Sequence, residues 1–370
     1  MFLMEKKSII LDIQSSLVRG ALVEFKKDAP SVVKKVIAKS IPSSMTPIDS
    51  PRIIQKILEV AENVVEEIIK DTSHHGIHSI HYILSSPWIF SELKTVKINY
   101  DVDTKITRKT LYEIVQSETK KVATLPDSEP IEQNIFEIRL NGYPVSVYEG
   151  RSARTLEVSF ATSFGSKKFL DKLHLSIQKI FHIHNHTYHS ALLLQYRSFR
   201  VIADKHTEYI YMHVHGELTD VIIVKNGLCK HISSFPFGII TLLRKIARST
   251  RQGVESSESL ITLYEGDKLN ENEKQNAKKV IDPLLNAWSV LCVKSFSSSF
   301  DIIHIPRTVF LSAHSHFDLF KQALLFRNDL NFDIISYEKI IENDKRVVFE
   351  NNSVTSQLMK MYTLALNFML

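Results

Sequence analysis

Residues 208–238 constrain the fold more than any other part of the chain, because they predict three short strands and a helix in direct succession. The three apolar runs lie at 208–215, 219–225 and 228–235. Asn226-Gly227 separates the last two runs, and such a pair is typical of a two-residue hairpin because glycine accepts the positive φ of that turn. Pro236-Phe237-Gly238 then precedes an apolar helical run. The segment therefore predicts an antiparallel three-stranded sheet followed by a helix.

Three antiparallel strands and a helix form the first unit of a ribonuclease-H-like domain, and 212–227 resembles the second phosphate loop of the bacterial proteins FtsA and PilM. The resemblance implies that this loop contacts nucleotide phosphates. His213 stands where the family has its aspartate, and His215 stands at its first glycine. Three residues of the loop are retained: Gly216, Thr219 and Asp220. The resemblance thus implies a nucleotide-binding scaffold with altered chemistry.

The N-terminal segment resembles the first phosphate loop of the same family. Asp12, Ser15 and Ser16 match its pattern, and Arg19 takes the position of its lysine. Gln14 replaces a glycine, which in the family lets backbone N–H groups approach phosphate without a Cβ in the way. The substitution places a side chain in the space that the phosphate needs.

A third loop follows the apolar strand 308–311 and corresponds to the family's glycine-rich turn beneath the adenosine. Ser312, Ala313 and His314 occupy this turn, and no glycine remains in it. The whole chain contains only ten glycines in 370 residues, under half the average usage of about 7%. The three loops in this order predict an α/β, actin-like fold whose nucleotide site is degenerate.

The resemblance divides this actin-like fold into two ribonuclease-H-like half-domains and a small insert. The predicted boundaries are 1–87 for the first half-domain, 88–186 for the insert and 187–370 for the second half-domain. The strand 131–140 with the turn Asn141-Gly142 is similar to the small α+β SHS2 module that FtsA and PilM carry in the first half. An unrelated α+β insertion is the alternative. Each half-domain is expected to have its own core.

Sixteen histidines form another unusual feature. They include two dense groups, His74, His75, His78 and His81, and His182, His184, His186 and His189. Two further pairs fall on the predicted nucleotide loops: His213 with His215, and His314 with His316. Neutral imidazoles at such spacings can bind zinc, but no cysteine or acidic residue completes a familiar ligand set. Surface and turn positions are therefore expected for these histidines.

General properties of the sequence exclude several classes of protein. The two cysteines, Cys229 and Cys292, lie in apolar segments and predict buried, reduced thiols. The first seven residues are too few and too charged for a signal peptide, and no run of eighteen apolar residues predicts a membrane span. The net charge of +5 is spread along the chain, which argues against a nucleic-acid surface.

Two functions compete for this sequence. The resemblance implies ATP and Mg²⁺ as ligands, but phosphoryl transfer needs acidic residues to hold the metal and orient a water, and His213 has replaced one of them. A scaffold or adaptor with weak or lost ATPase activity is therefore favoured. The alternative is an FtsA-like division protein that binds ATP, polymerises and tethers the division ring.

The segment 356–370 distinguishes these two roles. FtsA-type proteins resemble one another in carrying a linker and a basic amphipathic membrane helix, whereas this segment has one lysine and matches the closing helix of the fold. We therefore expect a PilM-like cytoplasmic adaptor of type IV pilus assembly, held at the inner face of the membrane by the cytoplasmic peptide of a membrane protein. Self-association is compatible with either role.

Overall fold

The computed structural model describes residues 6–41, 51–70, 76–122, 127–183, 185–203, 205–297, 304–327, 329–350 and 356–369. The strands in chain order are β1 (Lys6–Ile13), β2 (Leu17–Phe25), β3 (Ser31–Ser40), β4 (Ile77–Leu84), β5 (Ile89–Lys105), β6 (Ser128–Leu140), β7 (Tyr143–Pro144), β8 (Ser152–Ser166), β9 (His186–Ser190), β10 (Tyr209–Val214), β11 (Thr219–Lys225), β12 (Leu228–Phe235), β13 (Thr308–Ala313), β14 (Asp333–Ser336) and β15 (Val347–Phe349). The helices are α1 (Pro51–Ile69), α2 (Arg108–Val122), α3 (Lys167–Ile180), α4 (Ala191–Ile202), α5 (Ile239–Thr250), α6 (Val254–Glu265), α7 (Glu271–Ser297), α8 (Phe317–Leu325), α9 (Tyr337–Glu342) and α10 (Gln357–Asn367).

Two of the sheets share one topology. The first sheet has the order β15-β3-β2-β1-β4-β9, and the second has the order β12-β11-β10-β13-β14. In each sheet an antiparallel meander comes first, and its first strand then pairs in parallel with the next strand of the sheet, β4 or β13. The meander and helix predicted for 208–238 are confirmed as β10, β11, β12 and α5. The same arrangement occurs at the N-terminus with β1, β2, β3 and α1.

The two sheets and their helices stack in five layers. Helices α1 and α3 cover one face of the first sheet, where they pack on Ile9 and Leu11 of β1. Helices α5, α7 and α8 cover the outer face of the second sheet, where they pack on Met212 of β10. Helix α1 suits its place because Ala61, Val64 and other apolar residues recur on one helical face. The outer face of each sheet is consequently covered by helices.

The middle layer is a core that both sheets share. Helices α4 and α10 lie in it and pack with Ile10 of the first sheet and with Tyr211 and Phe310 of the second. Residues of α10 such as Leu358 and Leu364 are buried here. Each sheet therefore has a core on its outer face, as expected, and the middle layer adds a third core that serves both halves.

The third sheet, in the order β5-β8-β6-β7, lies where the insert was predicted. Helix α2 covers one face of it through Leu111 and Val115. Helix α3, although it falls within 88–186, packs instead on α1, and its Phe169 ring stacks on Trp88 at 4.9 Å. Strands β9 and β15 both pair within the first sheet. The predicted domain boundaries stay a prediction, and these contacts favour an end of the insert near Ser166.

None of the helices in the described ranges is long and apolar enough to cross a membrane. Both cysteines are buried and unpaired, as the sequence predicts.

Candidate functional site

The three predicted nucleotide loops follow β1, β10 and β13, whose carboxyl ends lie at the same end of the two sheets. Ligands of open α/β sheets bind at such ends. The first two loops also have the same turn geometry. The Gln14 amide donates to the Leu17 carbonyl at 3.0 Å, and the His215 amide donates to the Leu218 carbonyl at 2.8 Å. Gln14 and His215 therefore occupy equivalent positions in the two turns.

Asp12 is fully buried and already bound by its neighbours. The Arg19 guanidinium donates to Asp12 Oδ2 at 3.0 Å, and the Gln14 side-chain amide donates to the same oxygen at 3.0 Å. Within the described part of the chain, Asp12 Oδ1 accepts no hydrogen bond. Burial raises the pKa of Asp12, and the nearby Arg19 and Gln14 oppose that rise. The one aspartate that the first loop retains is thus engaged in an internal ion pair.

His213 is the penultimate residue of β10, directly before the second loop. Its Nδ1 lies 2.7 Å from Ser312 Oγ, and its ring meets the His215 ring edge-on with centroids 4.3 Å apart. Burial holds the pKa of His213 well below its ordinary value. The residue in the place of the family's second aspartate is therefore a neutral imidazole, which carries no charge for a metal ion.

Asp220 is buried and turned toward His215. Its Oδ2 lies 2.7 Å from His215 Nε2, and its Oδ1 accepts a hydrogen bond from Ser234 Oγ at 2.5 Å. Burial by itself would raise the pKa of Asp220, but the interactions with His215, Ser234 and Ser86 together lower it. The carboxylate is consequently hydrogen-bonded by side chains of the protein itself.

Gly216 brings the first two loops into direct contact. A Cβ built on Gly216 would lie 2.6 Å from the Cβ of Ser16 and 2.8 Å from Ser15 Oγ. The backbone amide of Glu217 also donates to Ser15 Oγ at 3.1 Å. No gap separates the loops at this point, where the resemblance places a phosphate.

The other predicted site residues have different surroundings. Thr219 Oγ1 donates to the Phe237 carbonyl at 2.7 Å and accepts from Trp288 Nε1 at 3.0 Å, so it braces the second sheet. Ala313 is buried beside the loops. His314 lies at the exposed rim of the cleft, where its Nδ1 accepts from Arg19 Nη2 at 3.0 Å.

These residues do not fit a magnesium–nucleotide complex of the kind that the resemblance implies. Magnesium is held by carboxylates, waters and phosphate oxygens. Here Arg19 is hydrogen-bonded to Asp12, and His213 is neutral. The side chain of Gln14 and the contact between Gly216 and Ser16 fill the space beside the loops. The structure brings the predicted site residues together but pairs them with one another.

The expectation of surface positions is wrong for several histidines. His213 and His215 are buried within the hydrogen bonds described above. His81 and His189 are also buried, and their Nδ1 and Nε2 atoms lie 3.2 Å apart. Among the described residues, no three histidine, cysteine or acidic side chains are grouped to hold a metal. Three residues of the predicted histidine groups, His74, His75 and His184, lie outside the described residues.

Two contributors to the cleft were not among the predicted site residues. Ser86 follows β4, whose carboxyl end lies beside Asp12, and its Oγ lies 3.2 Å from Ser234 Oγ. The parallel pairing of β4 with β1 would have identified Ser86 had it been used. Nothing in the sequence pointed to Ser234. A bulge near Lys230 shifts the register of β12 by one residue, and this shift places Ser234 opposite Asp220.

Comparison with known proteins identifies the fold. No protein-family model and no curated protein matches the sequence. A chain of the solved PilM–PilN type IV pilus biogenesis complex matches with a TM-score of 0.65 and 15% identity, covering 97% of this chain and 96% of that chain. A protein from Bacteroides thetaiotaomicron with an actin-like ATPase fold and unknown function has a TM-score of 0.43 and 7% identity, covering 97% of this chain and 96% of that one. The ethanolamine utilization protein EutJ from Carboxydothermus hydrogenoformans has a TM-score of 0.45 and 11% identity, covering 97% and 89%. The predicted α/β, actin-like fold is confirmed.

Proposed function

We propose that this chain is a PilM-like cytoplasmic adaptor of type IV pilus assembly, which binds the cytoplasmic peptide of a membrane protein. The similarity to a chain of the PilM–PilN complex supports this proposal because it extends over nearly the whole length of both chains. The SHS2-like insert belongs to the same proposal, since the third sheet and α2 form a compact unit beside the two main sheets.

The observation that carries the choice of adaptor over ATPase is the state of Asp12. This carboxylate is fully buried and bound by Arg19 and Gln14, and the second acidic position is the neutral His213. An ATPase of this fold needs acidic oxygens for its metal and water. A chain without them serves better as a binding protein than as a catalyst.

The alternative FtsA-like role requires a helix that lies on the membrane. The apolar side of α10 is not free for this purpose, because residues such as Leu358, Met361 and Leu364 are buried in the middle layer. Its single lysine, Lys360, is also mostly buried and donates to the Glu342 carbonyl at 2.9 Å. These contacts leave α10 no apolar side with which to lie on a membrane.

A groove beside the insert offers a place for such a peptide. It has a volume of about 630 Å³ and lies between β6 and β7 of the insert and the turn that joins β11 to β12. Its walls include Ile135, Phe136 and Val145 from one side and Leu228 from the other. Extended peptides gain affinity from a few apolar anchors in grooves of this kind.

We expect the purified chain to release no phosphate from ATP above the background of the buffer. The physical reason is that Asp12 pairs with Arg19, which leaves no metal-binding carboxylate in the first loop. Steady-state phosphate release with magnesium ATP measures this directly. Turnover above background that Asp12→Ala abolishes would show a working ATPase.

We also expect the chain not to float with anionic vesicles by itself, but to float with vesicles that display the cytoplasmic tail of a bitopic pilus-assembly protein from the same organism. Ile135→Asp should reduce this recruitment at least tenfold. Ile135 is an exposed apolar wall of the groove, and a bound peptide would bury the introduced charge at a cost of several kcal/mol. A loss of about 1.4 kcal/mol already corresponds to a tenfold loss of affinity. Val102→Asp, at an exposed valine elsewhere on the insert, is the matched control. Tight binding to undecorated anionic vesicles contradicts the adaptor proposal.

A further inference from the structure

Several contacts join the two main sheets at the cleft. They connect two loops and strand β2 of the first sheet with loops and strands of the second sheet. The hydrogen-bonded pairs are Ser15 with Glu217, Arg19 with His314, and Ser86 with Ser234. Gly216 adds a direct packing contact with Ser16. The cleft is therefore closed by groups of the chain itself.

Arg19 is at the centre of this closure because its two terminal nitrogens have different partners. Nη1 donates to Asp12 Oδ2 in the first sheet, and Nη2 donates to Nδ1 of His314, which directly follows β13 of the second sheet. Both distances are 3.0 Å. A guanidinium presents its donors as a rigid planar fork, whereas a lysine ammonium is a single point charge. Only an arginine at this position can neutralise Asp12 and reach His314 at the same time.

The amide groups at the start of α5 are also satisfied internally. A helix N-terminus is a ready site for a phosphate because its first amides lack partners within the helix. Here the Ile239 amide donates to the His215 carbonyl at 2.8 Å, and the Ile240 amide donates to the Gly216 carbonyl at 2.6 Å. The Gly238 backbone lies so close that a Cβ there would be 2.4 Å from the His215 carbonyl oxygen. No anion is needed to complete this helix end.

We infer that Arg19 acts as a built-in replacement for the nucleotide and its metal, and that it holds the cleft closed whether or not nucleotide is present. In this role the guanidinium supplies the positive charge beside Asp12 that a metal ion would bring. It also supplies the link between the two sheets that a bound phosphate would make. This inference concerns the conformation of the cleft and is independent of the role in pilus assembly.

Hydrogen–deuterium exchange of the full chain, followed on peptides covering 12–20 and 213–220, tests the inference. In the unaltered protein, millimolar magnesium ATP should leave exchange in both peptides unchanged. His314→Ala removes the link that Arg19 makes between the sheets and leaves the Arg19–Asp12 pair in place. It should speed exchange of both peptides about tenfold or more, the loss expected for one charge-assisted hydrogen bond. Arg19→Lys should have the same effect, because lysine keeps the charge but not the second contact.

The matched control is Arg108→Ala, which removes an exposed arginine paired with Glu149 on the insert and should leave both peptides as they were. Both test variants keep the fold's apolar core, so their unfolding midpoints report whether the change is local. Two results overturn the inference. One is slower exchange of both loops of the unaltered protein with magnesium ATP. The other is unchanged exchange in both His314→Ala and Arg19→Lys.

Discussion

Deleting α3 together with the insert is expected to unfold the chain, whereas deleting the insert alone leaves a folded remainder. Helix α3 buries Phe169, Leu170, Leu173 and Ile177 against α1 and the first sheet. Burial of each such side chain contributes about 1.5–3 kcal/mol, so the loss of four removes about 6–12 kcal/mol. That range is comparable with the whole stability of a typical domain, which is about 5–15 kcal/mol.

Two deletions separate these cases. Replacing 90–164 by a short glycine-serine linker joins Ile89 to Gly165, which face each other as partners across β5 and β8. Deleting 88–186 also removes α3. Urea unfolding followed by circular dichroism should give one cooperative transition for the first variant and none for the second. A cooperative transition for the second variant would show that α3 belongs energetically to the insert.

Acid is expected to destabilise the chain well before most carboxylates protonate. Burial lowers the pKa of His81 to about 4 and that of His189 to about 3, from an ordinary value of about 6.5. Below about pH 6.5 the unfolded chain binds protons at these residues that the folded chain refuses, so the free energy of unfolding falls as the pH falls. Between about pH 7 and pH 5 the loss is about 1–2 kcal/mol for each histidine, or about 2–4 kcal/mol for the pair.

The urea midpoint at these two pH values measures the effect. A double variant, His81→Gln with His189→Gln, should show a flatter pH dependence than the unaltered chain, because glutamine does not titrate. His182→Gln, at an exposed histidine, is the control and should leave the slope unchanged. The raised pKa of Asp12 makes the free energy of unfolding rise as the pH falls, but this contribution is the same in all variants. Equal slopes for the double variant and the unaltered chain would contradict the prediction.

The sequence predicted the meanders because their information is local. The apolar runs of the strands, the Asn226-Gly227 turn and the apolar run of α5 each depend on neighbouring residues, and the structure has all three. The register of β12 could not be predicted in the same way. A two-residue turn alone would place Ser233 opposite Asp220, but the bulge near Lys230 moves Ser234 into that position. A hydrogen bond of the site thus depends on one irregularity of the backbone.

The convergence of the three loops was also predictable, since it follows from the order of the parallel strands. What the sequence did not indicate is that the substituted histidines bind other residues of the same site. His213 on β10 is hydrogen-bonded to Ser312 on the neighbouring strand β13, and His215 is hydrogen-bonded to Asp220 within its own hairpin. These pairs depend on side-chain directions that are fixed only when the sheets pack together. The packing of α3 on α1 could not be predicted for a similar reason, because the amphipathic pattern of α3 does not say which neighbour it covers.

The shared middle layer has a consequence for how the chain can be divided. Helix α10 packs on α4 and on β2 and β3 of the first sheet, although it comes last among the described elements. A fragment that stops after Ala203 would leave that sheet face with α4 alone, so apolar side chains such as Ala21 and Val23 would become partly exposed to water. Such an exposed sheet face promotes aggregation. Co-expressed fragments that restore α10 are therefore the practical route to studying either half alone.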